Sequence, residues 1–491
     1  MTTAKQEPGW RKLRALLLAA LLPLLATCAS QTADAPQAPA VAVAAAEKQP
    51  PGLSPTQARE HARILAAYGG AYEQPELEAY LAATVDRLVS ASERPDLKYR
   101  VTILNSPAIN AFALSSGQLY VTRGLIALAN DTSEFASVLS HEMAHVIARH
   151  AAFRQDQVRQ AEIFNRVASD LLGDPQMGAL ALARSKIALA SFSRAQEFEA
   201  DGIGVGISAR AGYDPYGAQR FLTSMGLNAE LKAPTGNPDQ RPPDFLSSHP
   251  STPERVKNAR ASARQFVGPG TGRRDRNEYL TRLDGLIYGD DPSDGYVRGR
   301  RFVHPKLGFA FSAPEGFALA NTAQAVYGVK DNGQQMLRLD VVPASPEASL
   351  ADYFNPDWVE NIDRSTITQS TINGLPVASA IAKTDEWTFR LYILRFESDA
   401  YRIIFATRGA LEPADRAFRE SIASFRRTTP AEAAAKPLRV KIVQAPAHAT
   451  VEQLSRRMVV PDRPLERFRV LNGLSPGDKV KPGELVKIVV E

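Results

Sequence analysis

The sequence has one cysteine, no long apolar run and almost no charge imbalance, and each shortage excludes something. Cys28 is the only cysteine among 491 residues, so no disulfide can form within the chain. No stretch of about 20 apolar residues appears, which excludes a polytopic membrane protein. Lys and Arg total 58 against 53 Asp and Glu, a net charge of +5, too mild at this length to argue for nucleic acid. The basic residues gather before the N-terminal apolar run and around Arg273 to Arg301, without the interleaved aromatics of RNA-binding modules. No 34-residue helical repeat is visible. What remains is a chain with 44% hydrophobic residues, enough to build cores in about three domains.

At the N-terminus, Lys5, Arg11, Lys12 and Arg14 precede an apolar stretch from Ala15 to Leu25. That stretch is too short for a permanent span and has the length of a secretory signal. Leu25-Ala26-Thr27-Cys28 resembles a bacterial lipobox, with Thr27 where Gly, Ala or Ser is usual, making Cys28 a candidate lipidation site. The alternative is cleavage near Ala29 with Cys28 incidental. Ala29, in place of Asp, points under the lipoprotein sorting rule to the outer membrane. An Ala/Pro-rich tether follows.

Ser54-Pro55 opens a helical pattern that runs to Tyr68, and another runs from Pro75 to Val89. Strand-like runs at Tyr99 to Leu104, Ile109 to Leu114 and Gln118 to Arg123 come next, and helices then dominate to about Phe221. Within them lies Ser-His-Glu-Met-Ala-His-Val-Ile-Ala-Arg-His. His141 and His145, four apart, share one helix face and can reach a single ion. Glu142 stands beside them as the general base for a water activated by that metal. Asp131 and Glu134 have capping-box spacing ahead of this helix, which is apolar around most of its circumference. A Glu between two His in so buried a helix is costly unless a metal compensates it.

Zinc needs a third protein ligand. Glu197 in Ser-Arg-Ala-Gln-Glu-Phe-Glu-Ala-Asp is the best candidate, with Asp201 on the same face to orient a ligating imidazole. Glu199 is the alternative ligand, about 160° away on a regular helix. Arg194 is a candidate partner for one of these carboxylates. His150, about 140° round from His145, reads as structural or surface, and His61, His304 and His448 read as structural. The Gly202 to Gly206 run lacks the spacing and the preceding strand of a nucleotide loop; close helix packing explains its small residues.

His-Glu-Met-Ala-His with the downstream Glu197-x-x-x-Asp201, and Asn110-Ala111-Phe112-Ala113 with Gly117 upstream, resemble the zinc metallopeptidases of the HtpX and CaaX prenyl protease family, on its BepA-like periplasmic branch. The resemblance covers about Ser54 to Arg264. It implies one zinc ion per chain on His141, His145 and Glu197, Glu142 as the catalytic base, and Asp201 outside the ligand shell. It further implies an edge strand at Asn110, Ala111, Phe112 and Ala113 that pairs with an extended substrate. His249, in a His-Pro step, stands where that branch can cap the zinc; by chemistry alone it is a fourth ligand or an oxyanion donor.

Beyond a Gly/Arg/Asp-rich boundary, Phe302 to Arg427 alternate as strands and end in a helical stretch. The last 55 or so residues read strand, helix, helix, strand and resemble a LysM module, with His448-Ala449-Thr450 where Gly-Asp-Thr is common. The expected organisation is multidomain α+β: a signal peptide of lipoprotein type at 1–28, a tether at 29–53, a mainly helical zincin-type metallopeptidase domain with a small β-sheet at 54–265, a linker at 266–300, an α/β accessory domain at 301–427 and a βααβ LysM-like module at 437–491. The expected function is an exported zinc metalloendopeptidase of the Gram-negative periplasm, lipid-anchored to the outer membrane. It would act on misfolded or unassembled envelope proteins, contact peptidoglycan through the LysM-like module and bind no nucleic acid. The rival expectation is a latched, chaperone-like assembly factor with little proteolysis.

Overall fold

The computed structural model describes residues 53–153, 192–232, 249, 253–345, 347–355, 358–359 and 361–491. The signal and tether, Cys28 included, lie outside the described residues. Among the described residues no helix is long and apolar enough to cross a membrane.

Local chemistry sets the first elements. Ser54 and Gln57 close a capping box at the start of α1 (Pro55–Ala67), with Pro55 preset for the first turn. α2 (Pro75–Ser90) also begins on a proline. β1 (Arg100–Leu104), β2 (Ala111–Ala113) and β3 (Gln118–Thr122) form one sheet in the order β1-β3-β2. β3 runs parallel to β1 and antiparallel to β2, which leaves β2 at the edge. α3 (Arg123–Leu128) follows directly, and α4 (Thr132–Ile147) is buried along almost its whole length.

Asp131 caps α4 by accepting from the Glu134 N–H at 3.0 Å. The reciprocal bond of a capping box is shifted by one residue, for Glu134 Oε2 accepts from the Asn130 N–H at 2.9 Å. Arg220 and Arg274 hold the buried Asp131 carboxylate at 3.3 and 2.7 Å. Burial and the neighbouring Asp131 push Glu134 up to about 7.

α5 (Arg194–Arg210) and α6 (Gly217–Lys232) pack on α4, and α7 (Pro253–Arg264) packs on α5 and α6. The α4–α5 crossing is close because Gly204 has no side chain: a Cβ there would stand 2.9 Å from the His141 backbone nitrogen. Ser140 and Ser208 hydroxyls meet at 3.0 Å beside it. Within the run 202–206 it is Gly204 that serves this close packing; a Cβ at Gly202 would meet nothing within 4 Å. Residues 266–300, read from composition as a linker, carry α8 (Arg276–Arg282). Tyr279, Leu280 and Leu283 are fully buried in the same core as α4. The apolar residues of this segment are scattered through a Gly/Arg/Asp-rich background and do not register as an element in composition.

The accessory region has strands β4 (Ala318–Asn321), β5 (Val326–Lys330), β6 (Gln335–Pro343), β7 (Ile362–Ile372), β8 (Leu375–Lys383), β9 (Trp387–Phe396) and β10 (Asp399–Arg408). They form one seven-stranded sheet in the order β7-β8-β9-β10-β6-β5-β4. Every neighbouring pair is antiparallel, so the sheet is built mostly from consecutive strands and not from βαβ units. Asn373 and Gly374, both with positive φ, make the two-residue turn that joins β7 to β8. The helix at Glu412–Ala423 covers one face, with Phe418 stacked on Phe405 at 4.8 Å.

At the C-terminus, strands at Arg439–Gln444 and Leu485–Val490 pair antiparallel, with helices at Val451–Ser455 and Pro464–Asn472 between them. This unit is bonded to the α4 region. The segment 285–288 pairs with its first strand through Gly285 N–H to Val440 O, Val440 N–H to Leu286 O and Tyr288 N–H to Leu438 O, at 2.8, 2.8 and 2.7 Å. Lys487 is fully buried and its ammonium donates to the carbonyls of Ala127 and Ala129 at 2.7 and 2.8 Å. Those are the last carbonyls of α3, which a helix cannot satisfy by itself. Burial drives the Lys487 pKa far below its usual value. Lys487→Met keeps the apolar stem and removes the donor, so it is expected to lower stability by about 2–4 kcal/mol, measured by thermal unfolding.

Candidate metal centre

Two helices and one loop residue bring the ligands together. α4 supplies His141 and His145, α5 supplies Glu197, and His249 precedes α7. One donor atom from each lies within 4.8 Å of all the others, and all four residues are buried. His141 Nε2 is 3.1 Å from His145 Nε2 and 3.6 Å from Glu197 Oε2. His145 Nε2 is 3.5 Å from Glu197 Oε1. His249 Nδ1 is 3.2 Å from His141 Nε2 and 2.8 Å from Glu197 Oε1.

These separations suit zinc. Donors about 2.0–2.1 Å from a tetrahedral ion stand about 3.4 Å from one another. Nitrogen and carboxylate oxygen are also the donors zinc prefers. Burial lowers the His145 pKa to about 3, so its ring stays neutral and keeps a lone pair for a metal. Burial would raise Glu197, but hydrogen bonds from His145 and His249 carry it well below the usual carboxylate range. A carboxylate held ionised beside the neutral His145 ring is a cation site in waiting.

The supporting shell is equally specific. His141 Nδ1 lies 3.0 Å from Asp201 Oδ1, which leaves its Nε2 for the metal. Arg255, on α7, grips both acidic residues. Its Nη1 reaches Glu197 Oε2 at 2.6 Å, while Nε and Nη2 form a two-pronged pair with Asp201 at 2.7 Å each. Arg194, the arginine singled out from sequence, is exposed and pairs with Glu254 at 3.6 Å. Sequence reasoning missed Arg255 because it is one of many arginines and lies 54 residues beyond Asp201. The available signal was its place six residues after His249. Glu199 is turned outward with its side chain 58% exposed, and it is absent from the donor set.

Glu142 points into the centre from beside His141. It is buried, its Oε1 makes no hydrogen bond among the described residues, and that oxygen lies 3.8 Å from His249 Nε2. Burial raises its pKa, which suits a group that accepts a proton and later returns it. The edge strand β2 packs against α4. The Thr122 N–H donates to Asn110 O and the Leu114 N–H to Gln118 O. Alternation then turns the backbone of Ala111 and Ala113 to the free edge. The Phe112 side chain stacks on Tyr120 at 5.0 Å, and the Asn110 amide donates to the Tyr68 hydroxyl at 2.9 Å.

Residues 75–263 match the model of peptidase family M48. The chain contains an M48 peptidase domain. It is similar to the beta-barrel assembly-enhancing protease of Escherichia coli (strain K12), 32% identical over 201 residues that make up 39% of this chain and 40% of that protein. The beta-barrel assembly-enhancing protease of Yersinia pestis is 30% identical over 231 residues, 45% of this chain and 46% of that one. The mitochondrial metalloendopeptidase OMA1 of Schizosaccharomyces pombe (strain 972 / ATCC 24843) is 31% identical over 185 residues, 36% of this chain and 50% of that one. The chain thus spans half or less of the length of these curated relatives. All four donor residues fall inside the M48 domain, as do Glu142, Asp201 and Arg255.

Arg255 neutralises two buried carboxylates, and a divalent cation on Glu197 shares that work. Arg255→Met is therefore expected to destabilise the metal-free protein by about 3–5 kcal/mol and the zinc-loaded protein by clearly less. Thermal unfolding with and without zinc measures both.

Proposed function

We infer that this chain is an exported zinc metalloendopeptidase that hydrolyses misfolded or unassembled proteins of the cell envelope. The observation that carries the reading is the convergence of His141, His145, Glu197 and His249 on one point, with the buried Glu142 oxygen beside it. His141, His145 and Glu197 hold the ion, and Asp201 and Arg255 keep two of those ligands oriented. Zinc, when bound, supplies Lewis acidity that polarises the scissile carbonyl and acidifies water. Glu142 takes the proton from the attacking water and passes it to the leaving amine. The free edge at Ala111 and Ala113 pairs with an extended substrate backbone, and main-chain hydrogen bonds carry little sequence preference. That suits a protease for unfolded chains of varied sequence.

The names of the relatives support the envelope setting: two are beta-barrel assembly-enhancing proteases. In this reading Cys28 carries the lipid and the chain works from the periplasmic side of the outer membrane. The C-terminal βααβ unit, through its resemblance to LysM modules, contacts peptidoglycan; its loop residues Pro446, Ala447 and His448 are exposed.

A specific contact favours a second state of the same site. His249 Nδ1 stands 2.8 Å from Glu197 Oε1 within the donor set, so His249 occupies the position that a substrate carbonyl or water must take. The resting protein is then latched, and a form that seldom opens acts as an assembly factor with little proteolysis.

Full-length protein loaded with zinc is expected to cleave an unfolded outer-membrane protein, and Glu142→Gln to retain zinc while losing turnover by at least 1,000-fold. Equal activity of wild type and Glu142→Gln would exclude the peptidase mechanism. His249→Ala is expected to cleave several-fold faster than wild type. Stoichiometric zinc without cleavage in wild type and in His249→Ala, across several substrates, would favour the assembly-factor reading.

A further inference from the structure

α4 ends at Ile147, and two residues later Arg149 adopts a left-handed φ of 56°. On an uninterrupted helix His150 would stand about 140° round from His145. The break carries it back instead. His150 Nδ1 lies 2.9 Å from His145 Nδ1, with the rings edge-on at 71° and 4.9 Å between centroids. His150 is 4% exposed, although the segment around it is at the surface. Its other nitrogen, Nε2, lies 3.2 Å from Glu199 Oε2. The reaction described above uses neither residue.

One proton arrangement satisfies the whole chain of atoms. With His145 Nε2 turned to the metal, its proton sits on Nδ1 and is donated to His150 Nδ1. His150 then carries its own proton on Nε2 and donates it to the Glu199 carboxylate. Phe192 stacks on the His145 ring at 4.0 Å and 27°, which restrains the ring plane. Asp201 does the corresponding work for His141 by direct contact.

We propose that His150 and Glu199 are positioning residues for His145: a two-link hydrogen-bond relay that fixes its tautomer and ring orientation and so sets the affinity of the centre for zinc. The proposal rests on the metal-site reading above. It assigns a role to Glu199, which leaves the ligand set yet still acts on it through His150. It also explains why a histidine lies buried at the end of a helix whose last turn has been broken. Groups one step outside a metal's ligands typically change affinity 10- to 100-fold when removed.

The test is zinc affinity of the full-length protein, read by competition with a chromophoric chelator, together with the visible absorption of the cobalt-substituted protein. His150→Leu is expected to bind zinc about 10- to 100-fold more weakly and to shift the cobalt bands. His150→Gln, whose amide can accept from His145 and donate to Glu199, is expected to recover most of both. Glu199→Ala, at an exposed side chain, is expected to weaken zinc several-fold. Zinc affinity within about twofold of wild type in His150→Leu, with unchanged cobalt bands, overturns the relay. Should His150→Leu not fold, Glu199→Ala decides: weakened binding supports the relay and unchanged binding overturns it. A wild-type protein that binds no zinc would overturn the metal-site reading itself, a result distinct from either.

Discussion

α4 is buried on nearly every side and still carries Glu134, His141, Glu142 and His145. Groups of this kind in an apolar interior cost several kcal/mol each unless a partner answers them, so neighbouring elements must arrive at α4 with partners in place. Arg220 meets Glu134 and Asp131 at its N-terminal end. Glu197, Asp201 and Arg255 meet the histidines at the other. The four-residue spacing of His141 and His145 sets the geometry. The need to answer buried charge selects what packs around it.

That requirement links parts of the chain that look independent in sequence. Asn130 precedes the α4 cap, and its carbonyl accepts from Arg276 of α8 at 3.0 Å. Lys487, from the last strand, satisfies the end of α3 three residues upstream of that cap. The C-terminal unit and the segment 276–288 are therefore bonded to the turn that launches the metal helix. The docked residues and the exposed loop at 446–448 are different parts of one small fold.

The metal centre shows the same economy at shorter range. Its two imidazole ligands are each held through Nδ1, but by different chemistry. His141 meets a carboxylate directly, and His145 meets the His150 ring with a carboxylate one step further out. The Arg255 guanidinium spans Glu197 and Asp201, so ligand and orienting residue are held by one group. Its planar fork matches two carboxylates in a way that a lysine could not.

The sequence by itself determined what depends on neighbours along the chain. Helical spacing put His141 and His145 on one face and Glu197 with Asp201 on another. The Ser54 and Asp131 caps, the three short strands and the alternation of the accessory region were all legible, because caps, periodicity and turns act over a few residues. Only the tertiary structure decided the rest. It chose Arg255 over Arg194, turned Glu199 from alternative ligand to outer partner, swung His150 under His145 and made a core element of Tyr279 and Leu283. It also buried Lys487 against the end of α3, 360 residues away in sequence. The contacts of Arg255, Glu199 and Lys487 depend on which of many chemically identical side chains meets a partner across about 50 to 360 residues of chain, and the place of His150 depends on the backbone break at Arg149. Local pattern carries no term for that distance: the cost of an unanswered charge is felt only once the helices have packed.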